Sequence, residues 1–315
     1  MSAWTPSLRE ATRFQLVQHV RNTFALILVL LFIPSWLGVI QAVIPGEDID
    51  FGYRPADTAL TVDATHLAMI SGAINAVTLI VGFMMFAAVR RTGEFDQRLV
   101  LAGYSRSSLL VAKLLALALS AAVVAGYATL VMLLFWQPRQ SWLVLVSLCT
   151  AGLVYGGIGI ALGVVFTSEL PGMFLIIMIS LVDVMVQNPI INPASDTDLL
   201  VLLPTYGAMQ TAVGAGFTDD VAPRCLLASA QWLAALTIFG LVAFHLRTRD
   251  HSQRTGEPGQ ASNRPGSATV VVSRGQDGSL VVRSTTGPVL LCTRLTRAPA
   301  AAEPAHLRCH CSTGY

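Results

Sequence analysis

The stretch 67-LAMISGAINAVTLIVGFMMFAAV-89 decides the fold class, because it runs for 23 residues without one charged side chain. About 20 consecutive apolar residues in an α-helix cross the hydrocarbon core of a bilayer. A surface helix of a soluble protein alternates an apolar stripe with a charged face, and this stretch has no charged face. The sequence therefore predicts a transmembrane helix here.

Five further apolar runs of similar length flank this one, separated by short polar segments. Over all 315 residues, 54% are hydrophobic and only 12% are charged, which is about half the charged fraction of a soluble domain. The sequence thus predicts an all-α membrane protein. Six transmembrane helices are expected, at Thr23–Ile44, Leu67–Val89, Leu109–Trp136, Trp142–Phe166, about Leu170–Gln187 and Cys225–Leu246.

The distribution of Lys and Arg predicts the orientation, because loops on the cytoplasmic side carry an excess of these residues. With the N-terminus inside, the basic residues of Arg90–Lys113 and those from Arg247 onward all face the cytoplasm. The acidic residues fall mainly in the outer loops. We therefore expect both termini in the cytoplasm and the chain in the inner (plasma) membrane. A net charge of +2 gives no field for holding nucleic acid.

The two ends differ in composition from the membrane domain of residues 23–246. In residues 1–22, Ser7-Leu-Arg-Glu10 is typical of a capping box and predicts a short interfacial helix; a solvated helical lead is the alternative. Residues 247–315 are rich in Gly, Ser and Arg and predict a mostly disordered cytoplasmic tail. Three patches in this tail alternate like strands but are marginal on their own: Ala268–Arg274, Ser279–Ser284 and Pro288–Thr293.

The sequence lacks the motifs that usually carry chemistry. It contains no His-Glu-x-x-His and no Gly-x-Ser-x-Gly, and its one lysine, Lys113, does not follow a glycine as in a phosphate-binding loop. The spacing of Cys309-His310-Cys311 matches no common zinc site. We therefore predict no catalytic residue, no metal site and no cofactor site in this chain.

Among the polar residues inside the apolar runs, Asp183 and Asn75 are the ones that we single out. Asp183 is the only carboxylate well within a run, and an ionisable residue inside a membrane is a candidate functional group. The alternative is a structural role, in which Asp183 bonds to a polar group on a neighbouring helix such as Asn75. The sequence leaves both interpretations open and favours the structural one.

The segment 90-RRTGEFDQRLVLAGYSRSSLLVAK-113 separates the second and third apolar runs. Phe95, Leu99 and Ala102 fall on one side of a helix. This pattern predicts a short amphipathic helix on the cytoplasmic surface, where it would present apolar side chains and charges to a partner. A simple basic loop is the alternative.

The same segment resembles the cytoplasmic loop of type-2 ABC transporter permeases. Gly103-Tyr104 departs from that family, which usually has a proline there. The segment Leu203–Met209, with Gly214 and Gly216, resembles the outer segment that these permeases carry before their last helix. The resemblance covers roughly residues 8–247, and the loop positions that follow the family's order are Arg90-Arg91, Gly93, Leu99–Leu101, Ser105-Arg106 and Lys113.

The resemblance implies a permease subunit of an ATP-driven exporter. Two such subunits, identical or paired with a related chain, would form the substrate pathway, and separate ATPase subunits would bind ATP and magnesium. It implies that the surface helix around Gly93–Tyr104 is a coupling helix, which contacts the ATPase. An ion-gradient-driven secondary transporter is the alternative, and an intramembrane enzyme ranks third. With the amphipathic pattern of the segment, the resemblance predicts ATPase coupling for Gly93, Phe95, Arg98, Leu99 and Arg106.

Single-cysteine labelling tests the predicted orientation. In a chain whose own cysteines are replaced, Asp50→Cys should react with a membrane-impermeant thiol reagent in intact cells, because it lies in an outer loop. Gly93→Cys and Ser252→Cys should react only after the membrane is opened. Labelling of Gly93→Cys in intact cells would contradict the orientation.

Overall fold

The computed structural model describes residues 10, 12–13, 23–101, 106–166, 168–195, 197–219, 223–254, 270–274, 280–284 and 290–292. The chain divides into two compact units, Met1–Gln253 and Arg254–Tyr315. The helices of the first unit, one of which ends at the boundary, are α1 (Thr23–Val43), α2 (Ala64–Leu101), α3 (Arg106–Met132), α4 (Ser141–Val165), α5 (Glu169–Val186), α6 (Tyr206–Phe217) and α7 (Pro223–Arg254).

The described part of the chain is mostly helical, and four of its helices are long and apolar enough to cross a membrane. The other two predicted spans are also helical, as α1 and α7. Within α1, the described apolar portion is the shorter piece Val29–Val43. A count of six spans therefore stays a prediction. The four spans are Ala64–Gly93, Val111–Met132, Ser141–Val165 and Glu169–Val186.

Helix α2 differs from the prediction, because it continues without a break to Leu101. The sequence analysis ended the span at Val89 and placed a separate surface helix after it. At Arg90 the sequence changes from apolar to charged residues. This change marks where the chain passes from hydrocarbon to water, and a helix can continue across that boundary. Arg, Glu, Gln and Leu are good helix formers, and the one glycine in this part, Gly93, costs only about 1 kcal/mol.

Helices α2 and α4 form the centre of the first unit, and they pack against each other more extensively than any other pair of its described helices. Small residues on α4 allow this close approach. A Cβ atom at Gly159 would overlap the carbonyl oxygen of Gly82, and one at Gly163 would lie 3.0 Å from Val89. Gly152 and Gly156, one turn apart on the same helix, also face side chains of α2 and α3. These four glycines of α4 therefore serve contacts within this chain.

A two-stranded hairpin between α1 and α2 was not predicted. Strands β1 (Asp48–Tyr53) and β2 (Thr58–Asp63) are antiparallel and pair in register from Asp48 with Asp63 to Tyr53 with Thr58. A short 3-10 turn connects them and ends at Asp57 with a φ of 52°. Aspartate tolerates this left-handed conformation better than most residues.

Helix α6 is short, and every residue from Tyr206 to Gly216 is buried. Its 12 residues span about 18 Å, too little to cross a bilayer. The hairpin covers it: the side chain of Gln210 donates to the carbonyl of Gly52 at 3.0 Å, and a Cβ at Gly214 would lie 2.6 Å from the Tyr53 hydroxyl. We call the hairpin and α6 together the outer cap; in this name, as in the term inner below, the side of the membrane is the one that the Lys and Arg distribution predicts.

The connection between α3 and α4 also holds the outer cap. The backbone amides of Arg139 and Gln140 donate to the carbonyls of Gly216 and Ala215 at 3.2 and 2.9 Å. The Trp136 ring stacks on His66 at a centroid distance of 4.5 Å. The backbone bonds join the end of α6 to the α3–α4 connection, and the stacked rings join the same connection to the start of α2.

The second unit contains an antiparallel sheet of strands in the order β3, β4, β5. These strands are Val270–Arg274, Leu280–Ser284 and Leu290–Cys292, and they coincide with the three predicted patches. Helix α7 continues to Arg254, past Leu246, where the sequence analysis ended the last span. The predicted disorder concerns residues 255–269, 275–279, 285–289 and 293–315, which lie outside the described residues. The predicted N-terminal helix also lies largely outside them, although Glu10, Thr12 and Arg13 are helical.

Gly159→Ala tests the α2–α4 contact. The added methyl group would overlap the backbone of α2, and overpacking of this kind costs about 1–3 kcal/mol. We expect a lower thermal unfolding midpoint in detergent. Gly126→Ala is the matched control, because a Cβ there meets no atom within 4 Å. Equal midpoints for the two variants would contradict the packing argument.

Candidate functional site

The predicted coupling segment begins where α2 leaves its membrane span, and this point is tied to α3. The Lys113 ammonium donates to the Thr92 hydroxyl at 2.8 Å, and Thr92 in turn donates to the carbonyl of Ala88 at 2.9 Å. Lys113 is 6% exposed and Thr92 is 4% exposed. Because a buried charge is costly unless it is hydrogen-bonded, this contact fixes the start of α3 against α2.

A second contact joins the same part of α2 to the end of α4. The Arg90 guanidinium donates to the carbonyl of Phe166 at 3.0 Å, and Phe166 is the residue that follows the last turn of α4. A cation at a helix C-terminus also interacts favourably with the helix dipole. We call Arg90, Thr92, Lys113 and Phe166 the inner junction.

The predicted coupling residues extend beyond the inner junction. Gly93 is half-buried, and a Cβ atom added there would meet no described atom within 4 Å. Phe95, Arg98 and Leu99 lie on the last turns of α2, and Arg106 begins α3; the side chains of these four lie outside the described residues. Residues 102–105 between the helices also lie outside them.

A separate polar cluster surrounds Asp183 near the other end of the helices. Its Oδ2 atom accepts hydrogen bonds from the Tyr155 hydroxyl at 2.8 Å and from the Thr205 amide at 3.1 Å. Its Oδ1 atom accepts one from the Gln187 side-chain amide at 2.8 Å. Asp183 is 1% exposed. Three donors around a buried carboxylate compensate much of the cost of removing it from water.

Two elements give this cluster its geometry. Tyr155 lies on α4, and Thr205 is the residue before the first turn of α6, where a negative charge interacts favourably with the helix dipole. The Gln187 amide also donates to Thr205 Oγ1 at 2.9 Å, while its Oε1 is buried without a partner among the described residues. Asp183 therefore connects α4, α5 and the start of α6.

Asn75 is not the partner of Asp183 that the sequence analysis suggested. Its side-chain amide donates to Ser180 at 3.1 Å, and Ser180 is also 2.8 Å from the Thr78 hydroxyl. Ser180 lies one turn before Asp183 on α5, so Asn75 and Asp183 belong to adjacent layers of one polar strip. We use the name buried polar cluster for Asp183, Tyr155, Gln187 and Thr205 together with the adjacent layer of Asn75, Thr78 and Ser180.

The inner junction and the buried polar cluster are distinct regions. The cluster reaches α2 at Thr78, whereas Gly93 lies about 22 Å further along the same helix at 1.5 Å per residue. The structure thus brings Asn75 near Asp183 and keeps both away from the predicted coupling residues. Sequence reasoning missed Tyr155, Thr205 and Thr92. The one signal in the sequence that could have pointed to Tyr155 is its hydroxyl group, which lies inside an apolar run.

Comparisons with protein-family models and with curated proteins assign no family to this chain. The sequence matches no protein-family model, and it matches no curated protein. Among the described residues, no group of three or more His, Cys, Asp or Glu side chains is placed to hold a metal ion. The function is therefore inferred from the inner junction and the buried polar cluster.

Asp183→Asn tests the structural role of the buried polar cluster. An asparagine turns one carboxylate oxygen into a donor that faces Tyr155, Thr205 or Gln187, and an unsatisfied buried donor costs about 1–3 kcal/mol. We expect a lower thermal unfolding midpoint than in Tyr155→Phe, which removes one donor and leaves the other two bonds intact. An Asp183→Asn midpoint equal to that of the unmodified chain would show that the cluster does not hold these helices together.

Proposed function

We propose that this chain is the permease subunit of an ATP-driven ABC exporter. Two permease subunits form the substrate pathway, and a separate cytoplasmic ATPase subunit supplies the energy. The permease lies in the inner membrane with both termini in the cytoplasm. ATP and magnesium bind to the ATPase subunit and not to this chain.

The continuous helix α2 is the observation that carries this proposal. Its 38 residues give a length of about 57 Å, against about 30 Å for the hydrocarbon core. The apolar span ends at Gly93, so the last eight residues extend about 12 Å past it. A partner that moved this end would move the membrane-spanning part of the same helix.

The inner junction supplies a route by which such a movement reaches other helices. Thr92 connects α2 to α3 through Lys113, and Arg90 connects α2 to the end of α4 through Phe166. Both contacts lie directly before the predicted coupling segment. A push on Gly93–Leu101 therefore acts on three helices together.

A partner ATPase is proposed because this chain has no phosphate-binding loop of its own. Phe95 and Leu99 on the end of α2 are one turn apart, which suits an apolar docking site for another protein. Apolar anchors usually dominate the energetics of such sites, while charges at the rim contribute less.

Helix α5 supports the proposed second permease subunit. Only 28% of its most apolar window is buried inside the chain, compared with 72% for α2 and α4. Its exposed apolar residues recur every three or four positions, which is the spacing of a helix-packing stripe. The residues with this spacing are Leu170, Phe174, Met178, Leu181 and Met185, and Val182 is exposed beside them.

An ion-gradient-driven secondary transporter remains the alternative. Such a protein usually carries an ionisable group that exchanges ions within the membrane. Both carboxylate oxygens of Asp183 instead accept hydrogen bonds from this chain, which favours a role in holding helices together.

Phe95→Gln combined with Leu99→Gln tests the coupling. The double variant should lose the ATPase on co-purification and lose efflux, because the apolar anchors are removed. Removing anchors of this kind typically costs about 2 kcal/mol or more. The helices should still insert, so membrane abundance should not change.

Arg98→Ala is the control on the same turn of α2. As a rim charge it should reduce ATPase retention only mildly. A double variant that keeps both the ATPase and full efflux would contradict the docking assignment and favour the secondary transporter.

A further inference from the structure

The connection between α5 and α6 carries exposed apolar side chains, although it belongs to no membrane-spanning helix. Leu199 is 73% exposed and Leu202 is 70% exposed. Large apolar side chains gathered on one surface mark a contact with a protein or a membrane. We call the described residues 189–195 and 197–202 the apolar loop. Its exposed apolar side chains are those of Ile190, Ile191, Leu199, Val201 and Leu202.

Both ends of the apolar loop lie at the last turn of α5. The 18 residues of α5 run from the charged Glu169 to Val186 and span about 27 Å, slightly less than the hydrocarbon core of about 30 Å. After the loop, the Thr205 amide donates to Asp183 Oδ2 at 3.1 Å, and the Gln187 amide donates to Thr205 Oγ1 at 2.9 Å. The chain therefore leaves α5 and returns to it at one level, close to the hydrocarbon boundary.

The length of the chain limits how far the apolar loop extends from this level. Leu202 precedes Thr205 by three residues, so their Cα atoms are at most about 11 Å apart. Asp183, which Thr205 contacts, lies about 4.5 Å inside the end of α5. The polar interface beyond the hydrocarbon core is about 5–7 Å thick. A fully extended chain would thus still keep Leu202 at the membrane interface.

The backbone of the apolar loop suits surroundings with little water. Pro189 and Pro193 have no backbone N–H. Every other backbone N–H from residue 190 to residue 195 donates to an oxygen of Asn188 or Asn192. Irregular backbone at membrane depth needs internal partners of this kind, because hydrocarbon provides none.

The end of the apolar loop separates a charge from the apolar side chains. Asp198–Leu202 form a 3-10 helix, in which residues three apart lie on the same side. Leu199 and Leu202 therefore share one side, while Leu200 is buried. Asp198 accepts a hydrogen bond from Arg54 of the hairpin at 2.7 Å. The charge is bound to the hairpin, and the two leucines occupy a different side of the turn.

We propose that the apolar loop lies at the surface of the outer leaflet and inserts its exposed apolar side chains among the lipids. Amphipathic segments bind there by burying apolar side chains at the boundary between headgroups and acyl chains. Outer again means the side that the Lys and Arg distribution predicts. This contact requires insertion of the bundle into a membrane, but it requires neither ATP nor transport.

Spin labels on single cysteines test the insertion. Nitroxides are attached to Leu199→Cys and Leu202→Cys in the full-length chain whose own cysteines are replaced. The chain is reconstituted in vesicles of phosphatidylethanolamine and phosphatidylglycerol. Power saturation then compares collisions with oxygen, which concentrates in hydrocarbon, and collisions with a water-soluble nickel chelate. The ratio of oxygen to nickel collisions should be several-fold higher at both leucine positions than at Ala56→Cys.

Two further positions calibrate the measurement. Ala56→Cys is the matched reference for water, because Ala56 is exposed on the connecting turn of the hairpin. Val123→Cys is the reference for hydrocarbon, because Val123 is 61% exposed within the span of α3. The substituted leucines are themselves exposed, so we expect unchanged thermal unfolding midpoints in detergent.

Two outcomes would overturn the proposal. In the first, the labels at Leu199→Cys and Leu202→Cys collide with nickel as often as the label at Ala56→Cys, which places the apolar loop in water. In the second, both labels are shielded from oxygen and from nickel, which assigns the apolar loop to a protein contact such as a second copy. Because neither an ATPase nor efflux is measured, the result is independent of the proposed exporter function.

Discussion

The close approach of α2 and α4 is the constraint on which the rest of the first unit depends. Lipid provides no hydrophobic drive between helices, so association inside a membrane relies on packing at short range and on polar contacts. Glycines on α4 allow its backbone to reach the carbonyl oxygen of Gly82. The other helices of the first unit pack around this pair, and the polar layers of α5 and the buried α6 occupy positions that it sets.

The two ends of this helix pair are held in different ways. At the outer cap, backbone hydrogen bonds and the contact between the Trp136 and Phe217 rings hold the end of α6 against the α3–α4 connection, and the hairpin covers α6. At the inner junction, side-chain hydrogen bonds from Arg90 and Lys113 connect three helices. Rigid elements joined by a few side-chain contacts move more easily than elements with a continuous packed interface.

The sequence predicted those features whose physical cause lies within a single segment. The bounds of α4 and α5 differ from the predicted runs by one residue at each end, because the thickness of the bilayer limits the length of an apolar run.

The hairpin was missed, since six-residue strands depend on the surface they cover more than on their own composition. The partners of Asp183 were missed for a similar reason. Tyr155 is remote in sequence, and the donor at Thr205 is a backbone amide that no side-chain pattern reveals. The continuation of α2 to Leu101 was missed because a loss of apolar residues marks the membrane boundary and not the helix end.

The outer cap has a consequence for biogenesis. Gly52 and Gln210 are 158 positions apart, so the hairpin leaves the ribosome long before α6 exists. At typical synthesis rates the interval is roughly ten to thirty seconds. A two-stranded hairpin alone is marginally stable in water, and during this interval it lacks the helix that it later covers. The cap is accordingly completed only after α6 has been made. A chain arrested before Phe217 would expose Tyr53 and its neighbours to the quality-control proteases of the membrane.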